Sequence, residues 1–536
     1  MTPSCDALIA QNPIFEPIRI SPIVDDISVL TRQQATYLNV DLIPNAIMYL
    51  QNAVRVRRAR KPLVVELERL GQEDITLENT DLAIILNAMS CGPLEGESTF
   101  MMGAPIQWDV CGRPTAGIIS VCQEHMESSM RSDAGRSELT SGVLHELIHI
   151  LGFHAASFER WRNRDTMEPI VPDMEANSVW YHCSVDEESG EVQIQWNVGK
   201  DFSESDMYLH TFLPGIVEAI DARGLKAEDC RCPTDLSRTY DSSDIEHCMS
   251  FPEHCALAII TPTVVERTRE YYACPAARGM ELENTVLGEC GALFNDHWKA
   301  RTVRGELMNS REHYPFAFVS PMTFAALEDS GWYRMDYTQL NTILPGATWG
   351  FHAGCDFLAG ACMHVPSGTL LDAQKFCLPQ QDRQQKCSQD TLAIEVCDAG
   401  TKYGVWGYFF DMPHADLEVY KYGESSVRSA MRYFDFCSTF VFNNRVCSTE
   451  SNPNRRCLMS PQAPECVDTR CSADRLSYAI IGFGSEPITC TRAGQIVTQH
   501  SIGRSFTCAD PSIVCAKWNY NHLLPMAGVN GRHTTD

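Results

Sequence analysis

Residues 137–153 read SELTSGVLHELIHILGF, and the fold turns on how this stretch is read. Val143, Leu144, Leu147, Ile148, Ile150 and Leu151 recur at the intervals of a helix that buries one side. Ser137, Thr140 and Ser141 are available as N-caps, and Gly152 supplies a left-handed C-terminal stop. The helix carries His145-Glu146-Leu147-Ile148-His149. Histidines four apart share one helix face, with Cβ atoms roughly 5–6 Å apart, so both rings can address one ion. Zinc takes neutral imidazoles of this kind and keeps one position open in catalytic sites. Glu146, beside the first ring, is placed to take a proton from water held there.

Five residues of this pattern recur by chance, so the surroundings matter. Gly152, three residues after His149, permits a sharp turn beneath a metal. In the compact form of the motif the third histidine would stand at position 155, which is Ala155; His154 falls one residue short. A one-residue displacement on a tight turn redirects the side chain, so His154 is not expected to bind the ion. The third ligand must come from elsewhere in the chain.

Composition bounds the rest. The 536 residues are too many for one ordinary core, and 44% hydrophobic with 21% charged residues fits a folded chain of several domains. A formal charge of −26 argues against a nucleic-acid partner. The one basic run, Arg55-Val56-Arg57-Arg58-Ala59-Arg60-Lys61, reads as a solvated helix end with cations at the negative pole. Twenty-four cysteines, thirteen of them from Cys355 to Cys515, point to disulfides and an oxidising, extracellular or cell-surface location. Met1–Pro13 has neither the cationic start nor the apolar run of a signal peptide, and no stretch is long and apolar enough to span a membrane. Membrane association is expected only through segments outside this chain.

Along the chain, residues 18–30 read as a strand and its exit, and Leu42, Ile43, Ala46, Ile47, Leu50 and Val54 as one side of a helix. Leu63–Val65 and Leu82–Leu86 suit strands of a covered sheet. From Ala155 to Cys255 the sequence is acidic and irregular and reads as an insertion; Thr261–Trp332 returns to helical spacing; beyond Cys355 short strands alternate with turns and cysteines.

Further motifs lie beyond the helix: Asn295-Asp296-His297-Trp298-Lys299-Ala300-Arg301 followed by Gly305-Glu306-Leu307-Met308, the segment 261–284, Leu327–Tyr333 and Gly354-Cys355-Asp356-Phe357. With the early helix Leu42–Arg58, these resemble the leishmanolysin-like zinc metallopeptidases, peptidase family M8 of the metzincin clan, over roughly residues 18–150 and 258–520. In that family a long insertion separates the glycine from the third histidine; here His297 follows His149 by 148 residues, and the acidic segment accounts for the length. The resemblance implies that His145, His149 and His297 bind one Zn2+, that Glu146 is general base and acid, and that Gly152 and Met308 support the site. It implies protein or peptide substrates cleaved at internal bonds, and an association with cell-surface adhesion.

The expected fold is α+β: a metzincin-like module of twisted sheet and active-site helix in 1–154, a mainly helical or irregular central part in 155–354 with the insertion at about 155–257, and a disulfide-rich, β-containing domain in 355–536. Cys5 has no context suggesting a latency cysteine and is expected in a structural disulfide; His247-Cys248 and His254-Cys255 are expected as disulfide or surface residues rather than a second zinc site. The rival reading is an inactive scaffold used for binding or adhesion. Loss of a ligand or of Glu146 would be its mark, and neither is lost. A non-peptidase zinc hydrolase is a second rival, separable by assay on protein and small-ester substrates.

Overall fold

The structure is a computed structural model that describes residues 4–172, 178–185, 192–196, 207–221, 255–284, 294–309, 317–340, 347–359, 363–398, 439–448, 452–482, 487–499 and 503–516, except 59, 68–70, 72, 92–100, 212, 214, 365–368, 371, 373–374, 378–380 and 382. His247, Cys248 and His254 therefore lie outside the described residues, as do the acidic residues 186–188, Glu204 and Asp206.

The N-terminal part is built from β1 (Ile20–Val24), α1 (Ile43–Ala53), β2 (Val54–Arg57), β3 (Leu82–Met89), β4 (Met101–Trp108), β5 (Pro114–Cys122) and α2 (Asp133–Leu151). Four strands form one sheet in the order β1-β3-β5-β4, the first three parallel and β4 antiparallel at the edge. The uninterrupted apolar run of β3 makes sense because both faces are covered. Leu82, Ile84 and Leu86 pack into the main core with α1 and α2, whereas Ala83 and Ile85 face a smaller core with Val65 and Leu67. The hairpin of Leu63–Val65 with Ile75–Leu77 contributes to that second layer.

Helix α1 buries Ile43, Ala46, Ile47 and Leu50, as its spacing predicts. The basic run after it is not a helix end. The chain leaves α1 at Ala53 and enters β2 directly, burying Val54 and Val56 and leaving Arg55 and Arg57 partly exposed on the other face. The two-residue alternation of valine and arginine decides this over continued helix.

Helix α2 starts a turn earlier than Ser137. Ser132 is the N-cap, its hydroxyl accepting from the Gly135 N–H at 3.0 Å, while the Thr140 hydroxyl donates to the Arg136 carbonyl from inside the helix. Its C-terminal half is buried all round, through Val143, Leu144, Leu147, Ile148, Ile150 and Leu151, because β4 and β5 lie against it and the rest of the main core encloses it. Gly152 ends the helix at φ 122°, and a Cβ there would stand 2.7 Å from the Trp332 ring. Glycine meets both the backbone and the packing demand.

The stretch 155–354 holds more strand than expected. Ser178–Val185, Val192–Trp196 and Met207–Thr211 form an antiparallel sheet. Val217–Asp221 then pairs with β6 (Cys255–Ile259), which pairs with β7 (Met280–Asn284), which pairs with β8 (Phe294–Trp298). Helices α3 (Pro262–Tyr272) and α4 (Pro321–Asp329) pack on each other. His297 thus sits on a strand.

Toward the C-terminus the strands Ile488–Cys490, Tyr478–Ile481, Pro464–Cys471, Arg455–Met459, Arg504–Thr507 and Ile496–Gln499 make one antiparallel sheet in that order. Its core is small, centred on Leu458, Val467, Tyr478, Ile480 and Phe506, and Cys471–Cys515 and Cys490–Cys508 cross-link it. A core this size gains from such cross-links. Eight disulfides occur among the described residues, five of them after Cys355, and Cys5 pairs with Cys111 as a structural bond. Among the described residues no helix is long and apolar enough to cross a membrane.

Candidate metal centre

Helical spacing brings the first two rings together: His145 and His149 lie one turn apart near the buried end of α2, with Nε2 atoms 3.0 Å apart. Strand β8 delivers His297 against them, its Nε2 3.1 Å from that of His145 and 3.2 Å from that of His149. Three imidazole nitrogens from two elements 148 residues apart therefore meet at one point.

The far sides of two rings fix which nitrogen faces that point. His145 Nδ1 lies 2.6 Å from the Leu307 carbonyl and His149 Nδ1 lies 2.6 Å from the Phe153 carbonyl. A carbonyl only accepts, so each Nδ1 carries the proton and each Nε2 presents a lone pair inward. A cation between facing lone pairs at about 3 Å would relieve their repulsion. A tetrahedral ion at roughly 2.0–2.1 Å from each nitrogen would space such donors about 3.3 Å apart, close to the arrangement present. The donor set fits a divalent metal that favours imidazole.

Burial lowers the basicity of the group. It is the main reason the His145 ring is held well below the ordinary imidazole range and the His297 ring is pushed down to about 3, with His149 adding to both. Neutral rings are the form a metal requires.

Glu146 is buried beside the centre and faces β4. A Cβ at Gly103 would stand 2.6 Å from Glu146 Cβ, and the Gly103 backbone hydrogen-bonds the Glu146 carboxylate. Burial pushes this carboxyl up to about 7, against the opposing effect of His149. A carboxyl poised near neutrality can accept a proton and return it.

Beneath β8 a buried polar chain joins the segments. Trp298 Nε1 donates to the Thr323 hydroxyl at 2.7 Å, that hydroxyl donates to Glu306 Oε1 at 2.5 Å, and Glu306 also accepts from the backbone N–H groups of Ser320 and Met308. The Trp298 N–H in turn donates to the Met308 carbonyl at 2.8 Å. Met308 is fully buried, and the turn it belongs to supplies the Leu307 carbonyl that holds His145. Sequence reading missed Glu306 and Thr323 in this role, since nothing in their spacing marks a hydrogen-bond chain.

His154 stands outside the three-ring cluster. Its Nδ1 accepts from the Ala156 N–H at 3.1 Å, capping the short helix Ala155–Phe158, and its ring centroid is 6.0 Å from that of His149. Asp296, immediately before His297, brings a carboxylate to 3.8 Å from the His297 ring and 4.0 Å from the His149 ring; its only sequence signal is that adjacency.

Comparison with known proteins bears on the family of the chain. The sequence model of the Leishmanolysin family, peptidase M8, matches residues 243–521, more than half of the chain. That range contains Asp296, His297, Glu306 and Met308, while His145 and His149 precede it and are joined to it by the geometry above. A "Leishmanolysin homolog" of Crithidia fasciculata is 31% identical over 183 residues, covering 34% of this chain and 25% of its own. A "Leishmanolysin-like peptidase" of Caenorhabditis elegans is 23% identical over 418 residues, covering 68% of this chain and 55% of its own, and "Leishmanolysin" of Leishmania major is 24% identical over 264 residues, covering 46% and 42%. The chain thus spans about a quarter to about half the length of these relatives. With more than half of its residues matched by the family's own pattern, and with a histidine cluster able to hold a metal, the chain belongs to the leishmanolysin family of metallopeptidases.

Proposed function

We propose that the protein is a zinc-dependent endopeptidase with His145, His149 and His297 as metal ligands and Glu146 as general base and acid. One observation carries this: three Nε2 atoms lie within 3.2 Å of one another, two of them with lone pairs aimed inward by carbonyls behind the rings. Zinc bound there would supply Lewis acidity toward water and a peptide carbonyl. Glu146 takes the proton of the attacking water at its carboxylate and passes it to the departing amine, so no covalent enzyme intermediate is required. Gly152 turns the chain beneath the site, and the Met308 segment braces His145 and Trp298 from below. The metzincin-like module would be residues 1–154, followed by the central part 155–354, which brings His297 and Met308, and the disulfide-rich domain 355–536. Substrates are proteins or peptides, and the disulfides are consistent with an extracellular or cell-surface setting.

The test is metal analysis and peptide cleavage on the same preparation. One zinc per chain, with cleavage at internal bonds abolished by chelation and by Glu146→Ala while that variant keeps its zinc, is expected. Normal turnover in Glu146→Ala removes the assignment of the base. Zinc uptake without turnover of any protein or peptide by the unmutated chain favours the inactive scaffold, and turnover of small esters alone favours a different hydrolase.

A further inference from the structure

We infer that Asp296 is a positioning residue that sets the metal affinity of the three-histidine centre, its carboxylate held by the Ala155 backbone N–H. The inference rests on the reading that the three rings bind a metal. Successive side chains on a strand point to opposite faces, so the residue before His297 would ordinarily turn away from it. Asp296 does not. Its Oδ2 accepts from the Ala155 N–H at 3.1 Å and stands 4.0 Å from His149 Nδ1, while its Oδ1 stands 3.8 Å from His297 Nδ1. The carboxylate thus lies behind two of the three rings, on the side away from the point where the Nε2 atoms meet.

The charges make that placement useful. Three neutral imidazoles bring no negative charge to a divalent cation, and Glu146 must be free to take up a proton. A carboxylate about 4 Å behind the rings offsets the positive charge without occupying a coordination position. At these distances it acts through its charge rather than through a hydrogen bond to the rings.

His154 stands alongside the carboxylate without a hydrogen bond to it. Because its Nδ1 accepts from Ala156, the ring proton is on Nε2, and Nε2 stands 3.8 Å from the same Asp296 Oδ2. The position one short of the compact spacing therefore caps a helix and carries no ligand.

Zinc affinity is measured by chelator competition on the full chain, alongside the melting temperature of the metal-free protein, for the unmutated chain, Asp296→Asn, Asp296→Glu, His154→Asn and the double variant His154→Asn/Asp296→Asn. Asparagine at 296 keeps an acceptor for Ala155 but removes the charge, and asparagine at 154 keeps a cap for Ala156 but removes Nε2. Asp296→Asn should weaken zinc binding about 10- to 100-fold with no matching fall in metal-free melting temperature. Asp296→Glu should recover part of the loss; His154→Asn, which leaves the Ala155 hydrogen bond to Asp296 in place, should change binding little, alone or in the double variant. Unchanged affinity in Asp296→Asn, or a loss that only tracks a fall in metal-free stability, overturns the inference while leaving the metal centre standing. An unmutated chain that takes up no zinc overturns both.

Discussion

Gly103 on the edge strand β4 lies against Glu146 on α2 so closely that a Cβ at Gly103 would stand 2.6 Å from Glu146 Cβ and 2.9 Å from its carbonyl oxygen. Both atoms belong to the rigid base of the residue, so no flexible tip can yield. Strand and helix must part to admit even a methyl group. Gly103→Ala should cost about 1–3 kcal/mol of stability, the usual range for overpacking. It should also lower kcat/KM at least tenfold, because the Gly103 backbone that hydrogen-bonds the Glu146 carboxylate moves with the strand. Denaturant titration and steady-state kinetics on the zinc-loaded protein check both; full activity with unchanged stability contradicts the packing described.

Glu146 is expected to weaken the metal-free fold at neutral pH. Its carboxyl is raised chiefly by burial from 4.5 to about 7. The folded chain then holds a proton that the unfolded chain releases between those values, so stability from this group falls as pH rises through that window. Glu146→Gln removes the buried charge. In the presence of chelator the variant should exceed the unmutated protein by about 1–3 kcal/mol at pH 8 and by little at pH 4.5. A stability difference that does not change with pH would show that the carboxyl is not displaced.

His297 acts in the opposite sense. Burial first, then His149, lower its ring from 6.5 to about 3. Between these values the unfolded chain binds a proton that the folded chain refuses, so metal-free stability rises with pH across the window and is lost on acidification. Urea midpoints of the metal-free protein should climb from pH 4 to pH 6.5, and His297→Gln should flatten that slope. His145 is lowered by the same cause and leaves part of the slope in place. Saturating zinc should raise the unmutated protein above the metal-free curve, by about 4 kcal/mol at a thousandfold excess over Kd, and should do much less for His297→Gln.

How much of this was legible in sequence depended on range. His145 and His149 are set by local periodicity, and Gly152 by the need to stop the helix, so these could be read directly. The β3 run Leu82–Leu86 was legible as a strand because its length and apolar continuity admit little else. The start of α2 was not: Ser132, Ser137, Thr140 and Ser141 are all competent caps, and only the hydrogen bond to Gly135 distinguishes them. The basic run has the charge of a helix end, but the Val54/Val56 alternation makes it a strand. His297 could be paired with the helix only through resemblance, since no local rule links positions 148 apart. Gly103, Thr323 and the inward turn of Asp296 are products of packing between distant segments and leave no local pattern.

Trp298, Thr323, Glu306 and Met308 form one hydrogen-bonded chain. All four side chains are buried, and each hydrogen bond in the series leans on the next. Thr323→Val keeps the volume but strips the hydroxyl, leaving Trp298 Nε1 without its acceptor and Glu306 with the Ser320 and Met308 backbone donors. An unsatisfied buried donor costs about 1–3 kcal/mol, so the melting temperature should fall accordingly. The damage should reach the metal centre as well: Trp298 follows His297 on β8, and the Met308 turn presents the Leu307 carbonyl that orients His145. Zinc binding should weaken in Thr323→Val and return in Thr323→Ser, which restores donor and acceptor alike. If Thr323→Val melts early yet binds zinc as tightly as the unmutated chain, the network stabilises the fold without orienting the rings.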